Sequence, residues 1–396
     1  MSGAHSGAAV PASGPLASGV LGEWMASVAY KTTEEPTSSG VSRLPELIAL
    51  AREPSSERRR ELLRELTDHF FGHPPQSDVE TSLYSDVFAR LLADMEMSVR
   101  AELAHRFSTN LNAPRPLMCW FAEKEIEVAE PVLRASPVMT DDDLLAIVRN
   151  EGQGHLRAVS QRTVISEAVA DVIVARSDDE TLGTLLANDG AVLSRHASEA
   201  AVERAKANPA LQSAAVDRKL LPPDLLNEMY FVVGSELRRR IVARNASLDP
   251  ELLENALSVG VARVATEDGV WPKDYFESLS QVKATKSGDR LLPAEIARIL
   301  RSGNRTAFCI ALAEIADVDI FTVSRIVEQG EVDGLAVLCR AADLDGPLFL
   351  TIALSIVGGS SEGMGKARSY SLHYAELTRD AALRTLRFWR LRRGTP

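Results

Sequence analysis

The sequence predicts an all-α fold, an α-solenoid of stacked short helical hairpins, and three observations carry that expectation. First, an apolar anchor followed by a fresh helix start returns about every 26 to 28 residues. The anchors are Leu111, Met139, Ile165, Leu193, Leu221 and Leu248, then Leu292, Val318 and Leu344. Second, the words that follow the anchors share helix-start chemistry: Thr140-Asp141-Asp142-Asp143, Pro222-Pro223-Asp224, Asp249-Pro250-Glu251, Pro293-Ala294-Glu295 and Asp345-Gly346-Pro347. Thr or Asp accepts a backbone N–H at the cap, Pro is tolerated in the first turn, and early carboxylates suit the helix dipole. Third, 45% hydrophobic, 25% charged and only 5% aromatic residues suit helices packed through Ala, Leu and Val. The nearest approach to a strand pattern, Val169 to Val174, falls inside a longer helical period that begins at Ser166.

Residues 1–40 are rich in Ala, Ser, Gly and Pro and close on Glu34-Glu35-Pro36, so a disordered N-terminus is expected there. Pro11, Gly14, Pro15 and Gly19 break its apolar residues and no basic start precedes them, unlike a secretory leader. A first repeat segment, 41–260, opens with Glu57-Arg58-Arg59-Arg60-Glu61, whose charges are spaced to pair on an exposed helix face. That helix stops near Gly72, ahead of Pro74-Pro75. Ser108, Ser136, Gly190 and Asn245 each precede an anchor, where the first helix of a pair would end. One pair of short helices cannot bury both of its apolar stripes, so each needs its neighbours. The spacing breaks between Leu248 and Leu292 at Val270-Trp271-Pro272, which marks an irregular elbow before a second segment, 261–396. There the period resumes and ends in a basic terminal helix.

Two stretches carry a resemblance: Leu91-Leu92-Ala93-Asp94-Met95-Glu96-Met97-Ser98-Val99-Arg100, and Glu125-Ile126-Glu127-Val128-Ala129-Glu130-Pro131-Val132-Leu133-Arg134-Ala135-Ser136-Pro137. Together they resemble an uncharacterised helical-repeat family of alphaproteobacteria, a domain of unknown function similar to HEAT and leucine-rich-repeat-variant solenoids. The resemblance spans roughly residues 44 to 355. It implies a HEAT-like array in a bacterial cytoplasm and brings no catalytic motif, cofactor or ligand set.

The chemical motifs fail on context. Gly359-Ser360-Ser361-Glu362-Gly363 matches a nucleophile-elbow pattern, which requires a strand before the serine, whereas Leu348 to Val357 reads as a helix. Gly363-Met364-Gly365-Lys366 lacks the earlier glycine and the following Ser or Thr of a P-loop. His69 and His73 are four apart but have no third ligand at recognisable spacing, and the Asp141-Asp142-Asp143 run lacks the alternation of a calcium loop. Cys119, Cys309 and Cys339 sit in apolar segments and read as buried free thiols of a reducing cytosol. No enzyme, metal or cofactor is expected, and no run approaches the roughly 18 apolar residues of a membrane span.

Two basic features and the elbow remain as candidates for partner binding: Arg238, Arg239 and Arg240, whose side chains fan over several helix faces; Trp271; and Arg387, Phe388, Trp389 and Arg390 in the last helix. The expected function is a non-catalytic cytoplasmic scaffold or adaptor that holds an as yet unidentified protein partner, and the surface is also compatible with a homo-oligomer. The alternative is nucleic-acid binding through a groove lined by Arg134, Arg157, Arg162, Arg195, Arg218 and Arg244. A net charge of −11 opposes it, because phosphate binding needs concentrated cations.

Overall fold

The computed structural model describes residues 56–75, 77–263, 272–288, 290–357 and 361–391. The expected disordered stretch 1–40, Trp271 and most of the elbow lie outside them. The chain divides into two compact units, residues 1–68 and 69–396. Among the described residues the fold is all-α, with 22 α-helices and no strand. In chain order the first fourteen are α1 (Ser56–Gly72), α2 (Asp78–Ala93), α3 (Met97–Phe107), α4 (Arg115–Ala122), α5 (Ile126–Ala135), α6 (Asp141–Asn150), α7 (Gln153–Ser160), α8 (Glu167–Arg176), α9 (Asp179–Ala187), α10 (Arg195–Ala207), α11 (Pro209–Asp217), α12 (Pro223–Glu228), α13 (Ser235–Ala246) and α14 (Pro250–Arg263). A single 3-10 turn, Met229–Phe231, follows α12. Then come α15 (Tyr275–Thr285), α16 (Pro293–Arg301), α17 (Arg305–Ala316), α18 (Ile320–Glu328), α19 (Val332–Ala341), α20 (Gly346–Val357), α21 (Ser361–Glu376) and α22 (Arg379–Arg390).

Within the second unit most helices up to α14 pack on the helix two further along. The odd members run α3 on α5, α7, α9, α11 and α13, and the even ones run α8 on α10, α12 and α14. This is the neighbour relation of hairpins laid one on the next. Cap chemistry places the starts where the sequence puts them. Thr140 and Asp143 form a reciprocal capping box on α6, and Pro223, Pro250 and Pro293 occupy first-turn positions of α12, α14 and α16. At α16 the Glu295 carboxylate accepts from the backbone N–H of Leu292 and of Ser287 at 2.8 Å each.

The anchors need correction at three places. Met139, Ile165, Leu221, Val318 and Leu344 are buried, but Leu111 and Leu292 are exposed, and their neighbours Ala113 and Leu291 take the interior position. Leu193 is half-buried, with Ala191 inside instead. The last two anchors follow aspartates in the left-handed region, Asp317 at φ 54° and Asp343 at φ 60°. These turn the chain so that Val318 and Leu344 donate N–H groups back to Ala313 and Cys339 at the ends of α17 and α19.

All three cysteines are free; Cys309 and Cys339 are buried as expected, whereas Cys119 is only half-buried. Burial pushes the Cys339 thiol up to about 12. Where a nucleophile elbow would need a strand, α20 is helical, and residues 358–360 of that motif lie outside the described residues. Among the described residues no group of three or more His, Cys, Asp or Glu side chains is arranged to hold a metal ion. His69 and His73 stack at 5.2 Å, and His69 Nδ1 pairs with the Tyr84 hydroxyl at 2.7 Å.

Candidate functional site

Helix C-termini leave carbonyls without partners, and this chain meets the need with side chains from the next hairpin. Arg162 donates to the carbonyls of Leu133 and Ser136 at 2.7 and 2.8 Å. Asn188 donates to those of Ser160 and Arg162 at 2.9 and 2.6 Å. Arg218, 3% exposed, donates to Leu185, Leu186, Asn188 and Ala191. Arg244 donates to Val216, Arg218 and Lys219. Burial lowers the pKa of Arg162, Arg218 and Arg244 from the usual guanidinium value, yet a guanidinium remains charged in a protein. The other three arginines proposed for a nucleic-acid groove are also engaged: Arg134 with Glu130, Arg157 with Glu180, and Arg195 with Asp224 and Glu199.

The next rung comes from the far end of the chain. Carbonyls of Asn245, Ala246 and Leu248, at the end of α13, accept from Arg384 of α22. Beside them Asn227 and Asn245 exchange reciprocal amide hydrogen bonds at 3.0 and 2.9 Å, and Asn245 donates onward to Thr385 Oγ1 at 2.9 Å. Thus α22 lies on α13 and, on its other side, on α19.

This places the aromatic residues of the last helix inside the molecule and leaves its basic residues half-buried beside them. Trp389 is 1% exposed, with ring centroids 5.0 Å from Tyr230 and 5.4 Å from Phe231. Phe388 packs with Leu253, Ala256 and Leu257 of α14. Arg387 pairs with Glu254 at 2.6 Å, and Arg390 donates to the carbonyls of Ala316 and Asp317 at the end of α17. The sequence reading offered these four residues to a partner; the structure gives each an intramolecular one.

Around the same aromatic group the structure brings Arg238 and Arg239 together with two acids from the start of α19. Arg238 Nη2 lies 2.7 Å from Glu331 Oε1, and its Nε donates to the Tyr230 carbonyl at 3.1 Å. Arg239 Nε meets Asp333 Oδ1 at 3.0 Å, and His373 Nε2 reaches the same oxygen at 3.2 Å. Arg240 faces elsewhere, toward Asp217 and Glu236. Burial raises the Glu331 pKa, against the opposing pull of Arg238 and Arg325, and burial lowers that of His373, against Asp333. The Tyr230 hydroxyl, fully buried, is held well above its ordinary range. Sequence reasoning found the arginines but not Tyr230, Glu331, Asp333 or His373, which converge only through tertiary contact.

A second feature emerges at the loops between hairpins. Ile165 and Ala191 form an isolated parallel bridge in which Ile165 N–H donates to Gly190 and Val192 N–H donates to Ile165. The bridge holds two successive loops edge to edge and leaves Val164 and Val192 outward. The equivalent loops present Leu111 and Leu220, whereas Val138 at the same position is half-buried. Leu111, Val164 and Leu220 are 78%, 71% and 63% exposed. The result is one aliphatic side chain per hairpin at a recurring position, in loops that the carbonyl-capping residues tie to one another.

Comparison with curated proteins and with solved structures returned no match. The sequence model of one family, described as an uncharacterised protein conserved in bacteria (DUF2336), matches residues 128–387, which reaches from α5 through most of α22. The chain belongs to this uncharacterised bacterial family, DUF2336.

Proposed function

We propose that the protein is a non-catalytic cytoplasmic scaffold, a HEAT-like α-solenoid that binds a protein partner along the edge where its inter-hairpin loops meet. The alphaproteobacterial setting and the kinship with HEAT and leucine-rich-repeat-variant arrays belong to this reading. The recurring exposed aliphatics Leu111, Val164, Val192 and Leu220 carry it. A single exposed apolar residue needs no explanation, but exposed aliphatics that return at the same loop position in several hairpins are more than scattered surface residues. The nucleic-acid alternative is weakened because its six arginines already have internal carbonyl or carboxylate partners. No described helix is long and apolar enough to cross a membrane.

Affinity capture with the full chain tests the proposal, using wild type and the Val164→Asp/Leu220→Asp double variant. Both substitutions are at exposed loop positions, so stability should change by no more than about 0.5 kcal/mol per site. A specific protein recovered by wild type and lost with the double variant is the expected outcome. Equal recovery by both, or recovery of nucleic acid alone, overturns the reading.

A further inference from the structure

We propose that Arg238 and Arg239 form a recognition site for an acidic segment of a partner protein, with two carboxylates one residue apart. Glu331 and Asp333 fill the site as an internal stand-in. The inference deepens the scaffold reading and rests on it. The chain itself displays the complementary ligand: Glu331-Val332-Asp333 enters α19 with both acids on the two arginines, one at 2.7 Å and the other at 3.0 Å.

The stand-in is an imperfect occupant. Glu331 is 6% exposed and neither of its carboxylate oxygens makes a hydrogen bond, despite the short ion-pair distance. Tyr230 Oη and Trp389 Nε1, in the same buried group, also have no hydrogen-bond partner. Buried ion pairs must offset a large desolvation cost, and that offset fails when the hydrogen-bond geometry is poor. The contact therefore fixes register more than it stabilises. Release is also asymmetric in cost: when Arg239 leaves, Asp333 keeps His373, and when Glu331 leaves, Arg238 keeps the Tyr230 carbonyl. Arg239 is already 45% exposed, so an incoming carboxylate can reach it before the acids move. Displacement would open the contact beside Tyr230, whose ring centroid lies 5.8 Å from the Arg238 guanidinium; Tyr and Arg are among the residue types that dominate protein interface energetics.

The test uses the full chain and a fluorescent synthetic peptide of residues 328–336, Glu-Gln-Gly-Glu-Val-Asp-Gly-Leu-Ala. Removing the stand-in charges with Glu331→Gln/Asp333→Asn should tighten peptide binding at least about tenfold over wild type, since a tethered competitor acts at high effective concentration. Adding Arg238→Gln/Arg239→Gln should abolish the gain. A peptide with Gln and Asn in place of its Glu and Asp at positions 331 and 333 should not bind. Hydrogen exchange on the wild-type chain provides an arm that needs no folded variant: saturating peptide should accelerate exchange in 331–335. Unchanged exchange, equal affinity of wild type and the charge-free variant, or preference for a single-stranded oligonucleotide over the peptide each overturns the proposal. Partner capture lost with Val164→Asp/Leu220→Asp alongside a negative peptide result would sink this inference and leave the scaffold reading standing.

Discussion

At the residue scale the tightest constraint is Gly190. A Cβ built there would lie 1.9 Å from the Thr163 carbonyl oxygen, a backbone atom that the Ile165–Ala191 bridge holds in place. Gly190→Ala should therefore destabilise the protein by about 2 kcal/mol or more, read as a shifted midpoint in urea at unchanged slope. Asp143 makes a different kind of prediction. Burial would raise its pKa, but hydrogen bonds from Arg115 and from the Thr140 N–H and hydroxyl outweigh it and hold the carboxyl at about 2. A depressed carboxylate stabilises the fold above its unfolded pKa, and that contribution disappears as pH falls through the folded value. Asp143→Asn should thus cost about 1 kcal/mol at neutral pH, and its gap from wild type should close between about pH 4 and pH 2. Denaturant titrations at stepped pH give the comparison; a gap independent of pH would contradict the assignment.

At the scale of elements, α22 works as a wedge rather than an appendage. Its Trp389 fills the space between the Met229–Phe231 turn and the C-terminal segment, while Arg384 and Thr385 hold α13. Trp389→Ala should cost about 3–5 kcal/mol. Hydrogen exchange should then quicken in both α13 and α19, whereas a mere surface cap would loosen only itself. The helix was legible in the sequence as a basic, aromatic-ended amphipath, but its destination was not. Thr385 meets Asn245, 140 residues earlier, and hydrogen bonds to main-chain carbonyls leave no complementary side-chain pattern to read. The Thr140–Asp143 box was legible because both partners lie within one turn. Leu111 and Leu292 were misplaced because the period fixes which turn is buried, not which of its adjacent residues faces inward.

At the scale of the whole second unit, the hairpins contact mainly their neighbours, and such arrays melt as a sum of local terms. The long-range contacts through α22 change that expectation, because α13, α14 and α19 share one helix. Thermal unfolding followed by hydrogen exchange should show α13 and α19 opening together. A chain ended after Leu377 should open the C-terminal helices first, as a separate step. The Arg238–Arg239 cluster was only half visible from sequence for the same reason: the acids that answer it stand about 94 residues away for Arg239 and Asp333, beyond any local pattern.

The ladder of carbonyl-capping side chains has one more implication, concerning how many hairpins the protein can hold. Each rung is read from backbone, so an inserted hairpin of ordinary sequence could join the series after α13. Arg384 would then find its acceptors taken, and α22 would have nowhere to dock. The last helix therefore occupies the carbonyls of Asn245, Ala246 and Leu248, and any further hairpin laid on α13 would have to compete with Arg384 for them.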